Sequence, residues 1–290
     1  MSPITILCAI LVPFLWGYQF VIIKLGLAAF PPLLFVALRF ACIAALLLPF
    51  VGLPTRRELG PFIVISIFIG GLNFGLVFVG LVHAPASVSG IANQLWTPFT
   101  LLIAWPLLGE RPSMRVLLGV AIALCGVGLA VVDPSVSVPV GATLLIVGSA
   151  LALAIGNVLT KRYGPFNPMK LMGWMSFFTV PQVLLASYVL EHGQIAAIQA
   201  AQVSAWLAFT YTVLLGGIAA FGLWFWLISR CSMSRVTPFA LLQAPFAIAA
   251  GVAFRHEPLT QSLVAGAIIC ILGVAITQPL SLPLFTRRAL

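Results

Sequence analysis

The feature that most restricts the fold of this chain is a series of apolar runs, each about as long as a bilayer is thick. A helix crosses the hydrocarbon core with about 20 apolar residues at about 1.5 Å each. Such runs use most of the 290 residues and leave no room for a separate soluble domain. The predicted fold is an all-α membrane protein with ten transmembrane helices near 4–26, 32–52, 61–82, 86–108, 114–132, 140–160, 169–190, 204–228, 236–254 and 261–280.

Charged residues are too few to cover a surface that faces water. They form 7% of the chain, against roughly 25% in an ordinary soluble domain. The net charge is +9, but the basic residues stand in small groups between apolar runs. A nucleic-acid groove needs clustered charge with aromatic residues between, so we expect a lipid bilayer as partner and no nucleic acid. The cysteines lack metal-site spacing, and we expect no cofactor or metal.

The basic residues also predict how the helices are oriented, because Lys and Arg collect in cytoplasmic loops. With the N-terminus in the cytoplasm, the outer connections receive only Arg255, while Lys24 and Arg39 lie within or at the end of helices. The cytoplasmic side receives Arg56, Arg57, Arg111, Arg115, Lys161, Arg162, Lys170, Arg230, Arg235, Arg287 and Arg288. This bias favours an even number of helices with both termini in the cytoplasm.

The second half of the chain repeats the first. A separation of 147 residues relates the two halves over their last three helices, and a separation of 137 relates their first helices. The pairs include Lys24 and Lys161, Phe74 and Phe221, Ser87 and Ser234, Pro98 and Pro245, Glu110 and Glu257, Gly119 and Gly266, and Gly126 and Gly273. We therefore predict repeats over 1–135 and 136–282, followed by a cytoplasmic tail, 283–290.

Each predicted repeat holds five helices, an odd number, so the two copies must cross the membrane in opposite directions. Inverted repeats recur in secondary transporters, where the substrate site lies between the repeats near the middle of the bilayer. The alternative is a duplication that serves assembly only.

Two stretches carry a family resemblance. One is the run from Pro98 to Glu110 (PFTLLIAWPLLGE) with the glycines that follow it, and the other is LWGYQFVIIK over 15–24. They resemble the EamA domain of the drug/metabolite transporter superfamily, and both halves carry the pattern. The second copy departs at 255–258, where RHEP replaces Leu-Gly-Glu. The resemblance implies a multi-pass protein of the bacterial inner membrane that exports amino acids or related small metabolites without ATP, by alternating access.

Polar and aromatic residues inside the helices are the candidates for a substrate cavity, because polar groups are costly to expose to lipid. For the amides the alternative is hydrogen bonding between helices, and for tryptophan it is a position in the interfacial belt. The candidates are Trp16, Gln19, Asn73, Asn93, Gln94, Trp96, Asn157, Trp174, Tyr211, Trp224 and Gln243.

Three other residues have alternatives that the sequence leaves open. Arg39 lies well inside the second helix, where it could extend to the outer face, pair structurally or meet a substrate carboxylate. Pro98 and Pro245 interrupt helices four and nine at equivalent positions. We predict kinks there that let the half-bundles open alternately, against kinks that only shape the packing.

Two competing functions fit the sequence less well. Phosphorylated or nucleotide-linked solutes would need clustered cations in the cavity, and Arg39 is the only deep one. A lipid-modifying membrane enzyme would need a nucleophile, an acid–base pair or metal ligands gathered at one place, and no such set appears. We therefore predict a transporter without enzymatic activity, acting as a monomer on a small-molecule substrate. No acidic residue is placed in the middle of a helix, which favours transport down the substrate gradient.

Overall fold

The computed structural model describes residues 3–109, 111–131, 139–231, 236 and 239–277, and the statements below concern these residues. They form helices and turns, without a β-strand in the described part. The longer helices pack against one another. The predicted all-α class is confirmed for this part of the chain.

The first half contains six helices among the described residues. The helix α3 includes a π-helical stretch, Ser66–Phe74, between two α-helical stretches. The bounds are α1 Pro3–Leu27, α2 Pro32–Leu47, α3 Arg56–His83, α4 Ala86–Asn93, α5 Trp96–Leu108 and α6 Met114–Val131.

The second half also contains six helices among the described residues, one of which, Gln194–Ala200, has no counterpart in the first half. Its α10 runs through Val203–Val213, a π-helical stretch Leu214–Ala219 and Ala220–Arg230 without a break. The other bounds are α7 Val140–Tyr163, α8 Pro168–Leu190, α9 Gln194–Ala200, α11 Gln243–Arg255 and α12 Gln261–Thr277.

Seven of the described helices are long and apolar enough to cross a membrane. Together with the scarcity of charge, they make the chain a multi-pass membrane protein. The seven are Pro3–Leu27, Pro32–Phe50, Arg56–His83, Met114–Val131, Val140–Tyr163, Pro168–Leu190 and Val203–Trp224.

The predicted continuous helix over 86–108 is wrong, because the structure interrupts it at Gln94 and Leu95. The amide of Gln94 donates to the carbonyl of Ile91, 3.1 Å away, in place of an α-helical bond four residues back. Pro98 has no N–H to donate to the carbonyl of Gln94, so a regular helix cannot continue through this point. Pro98 is therefore the third residue of α5, in the first turn, where a missing N–H costs nothing.

Pro245 has the same place in α11. This helix begins at Gln243, after a turn in which the amide of Leu242 donates to the carbonyl of Phe239, 3.0 Å away. The expectation that both prolines lie inside continuous helices is corrected: each lies in the first turn after a break.

Close contacts between α6 and α12 involve glycines from both halves. A β-carbon on Gly119 would lie 2.7 Å from the carbonyl oxygen of Gly273, and one on Gly266 would lie 2.6 Å from that of Gly126. Glycine permits this approach because it has no side chain. Replacing each residue by its counterpart 147 positions away converts one contact into the other, so the pair of contacts is symmetric.

Candidate functional site

A cavity of about 350 Å³ lies between α1, α2, α3, α4, α5, α7, α10 and α11. Nine of the residues singled out in the sequence line it. They are Trp16, Gln19, Arg39, Asn73, Asn93, Trp96, Asn157, Trp224 and Gln243. The structure thus gathers most of the candidate amides and tryptophans around one space.

Three candidates lie elsewhere and hydrogen bond to backbone carbonyls of other helices or loops. The amide nitrogen of Gln94 donates to Leu241, 3.0 Å away, and so joins the two helix breaks. The hydroxyl of Tyr211 donates to Leu15, and the indole N–H of Trp174 donates to Gly52. Pro98 and Pro245 also lie outside the cavity lining.

Sequence reasoning missed the remaining lining residues, most of which are apolar. They are Phe20, Ile23, Phe74, Val77, Phe78, Thr100, Leu153, Gly216 and Phe221. Apolar residues in a membrane helix resemble packing residues, so no local signal separates them from the core.

The repeat would have found several of them, because the lining contains both members of five equivalent pairs. Three pairs join a residue predicted from the sequence to one that was missed, and one joins two missed residues. The pairs are Trp16 and Leu153, Phe20 and Asn157, Phe74 and Phe221, Val77 and Trp224, and Trp96 and Gln243. The cavity is therefore built from corresponding positions of the two halves.

The cavity is more exposed towards one end of the bundle. Ile23 and Phe78 are 3% and 0% exposed, whereas Thr100, Asn157 and Trp224 are half-buried. Asn157 and Trp224 lie in the C-terminal halves of α7 and α10. We name that end of the bundle the basic end, because it carries Lys161, Arg162, Lys170 and Arg230. The burial of these lining residues thus decreases towards the basic end.

At the opposite end, two charged side chains hold the turn between α3 and α4. The ammonium of Lys24 donates to the carbonyls of Ala84 and Leu81, at 2.6 and 3.1 Å. The carboxylate of Glu257 accepts from the amides of Ala86 and Ser87, at 2.7 and 2.9 Å, and from the Ser87 hydroxyl at 2.6 Å. A cation at a helix C-terminus and an anion at a helix N-terminus both complement the helix dipoles.

A second carboxylate at the same end holds the N-terminus of α2. Glu191 accepts from the amides of Leu33 and Leu34, at 2.7 and 3.0 Å, and from the hydroxyl of Ser187 at 2.6 Å. Charge-assisted bonds of this kind are about twice as strong as neutral ones. They fasten the end of the bundle where the cavity is closed.

Arg39 is enclosed in the wall of the cavity, with 1% of its surface exposed. Its Nε donates to the carbonyl of Thr212, 3.1 Å away, and its guanidinium carbon lies 4.2 Å from the ring centre of Phe74. This position is inside the bundle and does not extend to an outer face. Among the described residues, Nη1 of Arg39 and Oε1 of Gln19 have no hydrogen-bond partner.

The described part of the chain contains no group of three or more His, Cys, Asp or Glu placed to hold a metal ion. The described residues that line the cavity include no acidic side chain. The arrangement can bind a small molecule through amides, indoles and one cation.

Comparison with known proteins agrees with this geometry. The EamA-like transporter family matches residues 3–132 and again 141–278. A probable amino-acid metabolite efflux pump of Salmonella typhimurium is 28% identical and covers 92% of each chain. An uncharacterized transporter of Bacillus subtilis, YvbV, is 30% identical over 93% of this chain and 91% of its own.

A solved crystal structure shares the fold, with a TM-score of 0.63 over 95% of this chain and 96% of its own, at 20% identity. The two family matches together span nearly the whole sequence. They coincide with the stretches that resembled the family in the sequence. This multi-pass membrane protein belongs to the EamA-like transporter family.

Proposed function

We propose that the protein is a secondary transporter that exports amino acids or related small metabolites across the bacterial inner membrane without ATP. The observation that carries the proposal is the cavity of about 350 Å³ lined by equivalent positions of both halves. Small-molecule pockets commonly measure about 300–1,000 Å³ and combine apolar walls with a few polar groups. The printed name of the Salmonella relative supports amino-acid metabolites as the substrate class.

The topology we propose has ten transmembrane helices in two inverted repeats, 1–135 and 136–282, with both termini in the cytoplasm. The helices α4 and α5 together form one crossing, and α11 with the residues before it forms another. The symmetric glycine contacts between α6 and α12 support an internal two-fold axis. The boundary between the repeats, the tail 283–290 and Glu110 lie outside the described residues.

In this topology the basic end faces the cytoplasm and the cavity opens inward. The opposite end, closed by Lys24, Glu257 and Glu191, faces outward. Alternating access requires that this closure open while the basic end closes around the same cavity.

We expect Glu257→Gln to weaken the outer closure. The neutral amide loses charge-assisted bonds to the turn that begins α4. Hydrogen bonds to charged groups contribute about 1.5–3 kcal/mol each, so we expect about a tenfold rise in the outward-accessible population. The measurement is labelling of Ile23→Cys in a background without other cysteines, by a membrane-impermeant maleimide applied to intact cells.

The matched control for this experiment is Glu58→Gln at the basic end. Glu58 pairs with Lys170 at 2.7 Å, but both side chains are partly exposed, and such pairs contribute only about 0–1 kcal/mol. We expect Glu58→Gln to leave the labelling rate of Ile23→Cys unchanged. If Ile23→Cys were labelled at the same rate with and without Glu257→Gln, Glu257 would not hold the outer end closed.

We also propose that the breaks before Pro98 and Pro245 act as hinges. Pro98→Ala restores the missing N–H and permits a continuous helix through Gln94, which would stiffen this point. We expect Pro98→Ala and Pro245→Ala each to slow exchange severalfold without lowering the melting temperature. Exchange rates and labelling from both faces that match the parent protein would exclude the hinge role.

The proposed function is tested with purified protein in liposomes. Exchange is measured against labelled amino acids, purines and sugar phosphates, with empty liposomes as control. We expect exchange of amino acids and none of sugar phosphates. Exchange of sugar phosphates alone would favour the phosphorylated-solute alternative, and turnover of lipid would favour an enzyme; either result would overturn the proposal.

A further inference from the structure

We propose that Arg39 and Gln19 form a binding site for the two charged groups of an α-amino acid with an uncharged side chain. The guanidinium of Arg39 binds the carboxylate, and Oε1 of Gln19 accepts from the ammonium. This assignment rests on the proposed function, because it names the substrate class and the residues that recognise it.

Arg39 carries a buried positive charge. A buried charge is costly unless it is paired, and a guanidinium has five N–H donors to satisfy. In Arg39, Nε donates to Thr212, while Nη1 has no partner among the described residues. The described cavity lining contains no carboxylate to balance the charge. The anion that Arg39 needs can therefore come from a solute in the cavity.

Two contacts fix the orientation of the Arg39 guanidinium. Its carbon lies 4.2 Å from the ring centre of Phe74, and contacts of this kind between a cation and an aromatic face are favourable. Together with the bond from Nε to Thr212, this contact restrains the side chain. A restrained guanidinium can present its remaining N–H groups to both oxygens of a carboxylate, which is the geometry that arginine favours.

Gln19 supplies a hydrogen-bond acceptor without a partner in the described part of the chain, and it lies beside the same backbone segment as the Arg39 guanidinium. Oε1 of Gln19 is buried without a partner among the described residues. Gln19 packs directly on Gly216, where a β-carbon would collide with its amide, and Gly217 lies beside the Arg39 guanidinium. An acceptor and a cationic donor thus flank two adjacent glycines of the π-helical stretch Leu214–Ala219. An α-amino acid carries its ammonium and carboxylate on the same carbon, and needs such a pair.

The remaining lining residues restrict the side chain of the solute. Beyond Arg39, the described lining holds amides, a threonine and apolar or aromatic residues, with Trp16 and Trp224 5.7 Å apart between ring centres. A charged solute side chain would find no counter-charge there and would lose hydration. The cavity therefore favours amino acids whose side chains are uncharged.

The test uses binding and exchange by the full-length protein. The probes are leucine, 3-methylbutylamine, which lacks the carboxylate, and 4-methylpentanoate, which lacks the ammonium. Binding is followed by intrinsic fluorescence, since Trp16 and Trp224 line the cavity, and by competition against the labelled amino acid that exchanges fastest. For the parent protein we expect leucine to bind at least about tenfold more tightly than either analogue.

The variants separate the two roles. Arg39→Gln should bind leucine and the amine equally weakly, and Gln19→Leu should bind leucine and the acid equally weakly. Arg39→Lys should recover part of the preference, because it restores the charge without the fork. The matched control is Arg162→Gln, which removes an exposed arginine at the basic end and should leave all three affinities unchanged.

The outcomes distinguish this inference from the proposed function. Amino-acid exchange by the parent protein, with the preference for leucine over the amine intact in folded Arg39→Gln, overturns the inference and leaves the function standing. Failure of the parent protein to exchange any amino acid overturns both. Folding is checked by size exclusion and thermal melting. Should Arg39→Gln not fold, unequal binding of leucine and the acid by Gln19→Leu overturns the inference.

Discussion

Gly126→Leu is expected to prevent this protein from folding, because the position faces the backbone of another helix. A β-carbon on Gly126 would collide with the backbone nitrogen of Cys270 and lie 2.7 Å from the carbonyl oxygen of Gly266. Neither atom can move without shifting α12 as a whole. Overpacking commonly costs about 1–3 kcal/mol, and a leucine against rigid backbone belongs at the upper limit of that range or beyond it.

The control lies two residues further along α6. A β-carbon on Gly128 would meet nothing within 4 Å, so Gly128→Leu adds a side chain to open space. Leucine is also a better helix former than glycine, which is about 0.8–1 kcal/mol less favourable than alanine in a helix interior. The measurement is the yield of monodisperse protein after extraction in detergent, together with its melting temperature. Equal behaviour of the two leucine variants would contradict the packing between α6 and α12.

The symmetric glycine contacts extend this prediction to the other half. Gly273 is the counterpart of Gly126, and its β-carbon would lie 2.7 Å from the carbonyl oxygen of Gly119. Gly273→Leu should therefore lower the yield as much as Gly126→Leu. A clear difference between the two would argue that the halves are not related by a two-fold axis.

The second large effect is expected from filling the cavity. Asn157 lines the cavity at its more exposed end and is half-buried. Asn157→Trp places a large indole in the space that a solute must occupy. We expect exchange in liposomes to fall to the rate of empty liposomes, while the protein still extracts as a monodisperse species.

Leu144→Trp is the matched control for this variant. Leu144 lies on the same helix, α7, and is 64% exposed, so the added indole faces lipid. Exchange by Leu144→Trp should equal that of the parent protein. Exchange that survives Asn157→Trp would show that solutes do not pass through this cavity.

Much of the fold could be predicted because lipid imposes a simple requirement on length and composition. The apolar runs located the described helices other than α9 to within a few residues at most of their ends, whereas α9 lies in a predicted loop. The break at Gln94 was missed because a proline within an apolar run is compatible with a kinked helix as well as with two helices. The π-helical stretches were missed too, since a pair of glycines is their only feature in the sequence.

Of the residues that line the cavity, the sequence could predict mainly the amides and tryptophans. An amide or indole inside a membrane helix needs a partner, and this requirement selected Gln19, Asn73 and Trp96, which line the cavity. The same reasoning chose Gln94 and Tyr211, whose partners are backbone carbonyls on other helices. Whether such a side chain bonds to a backbone carbonyl or faces a cavity depends on where two helices meet. Hydropathy does not predict where helices meet.

The bond between Gln94 and Leu241 has a consequence for kinetics. These residues are 147 positions apart, so each contacts its own counterpart, as residues beside a two-fold axis do. In an alternating-access cycle of this kind, the two halves exchange conformations between the inward-open and the outward-open state. A residue on the two-fold axis therefore has the same neighbours in both states. Substitution of Gln94 should then change the height of the barrier between the states and leave their relative populations alone. Glu257, which holds the turn before α4, should act on the populations.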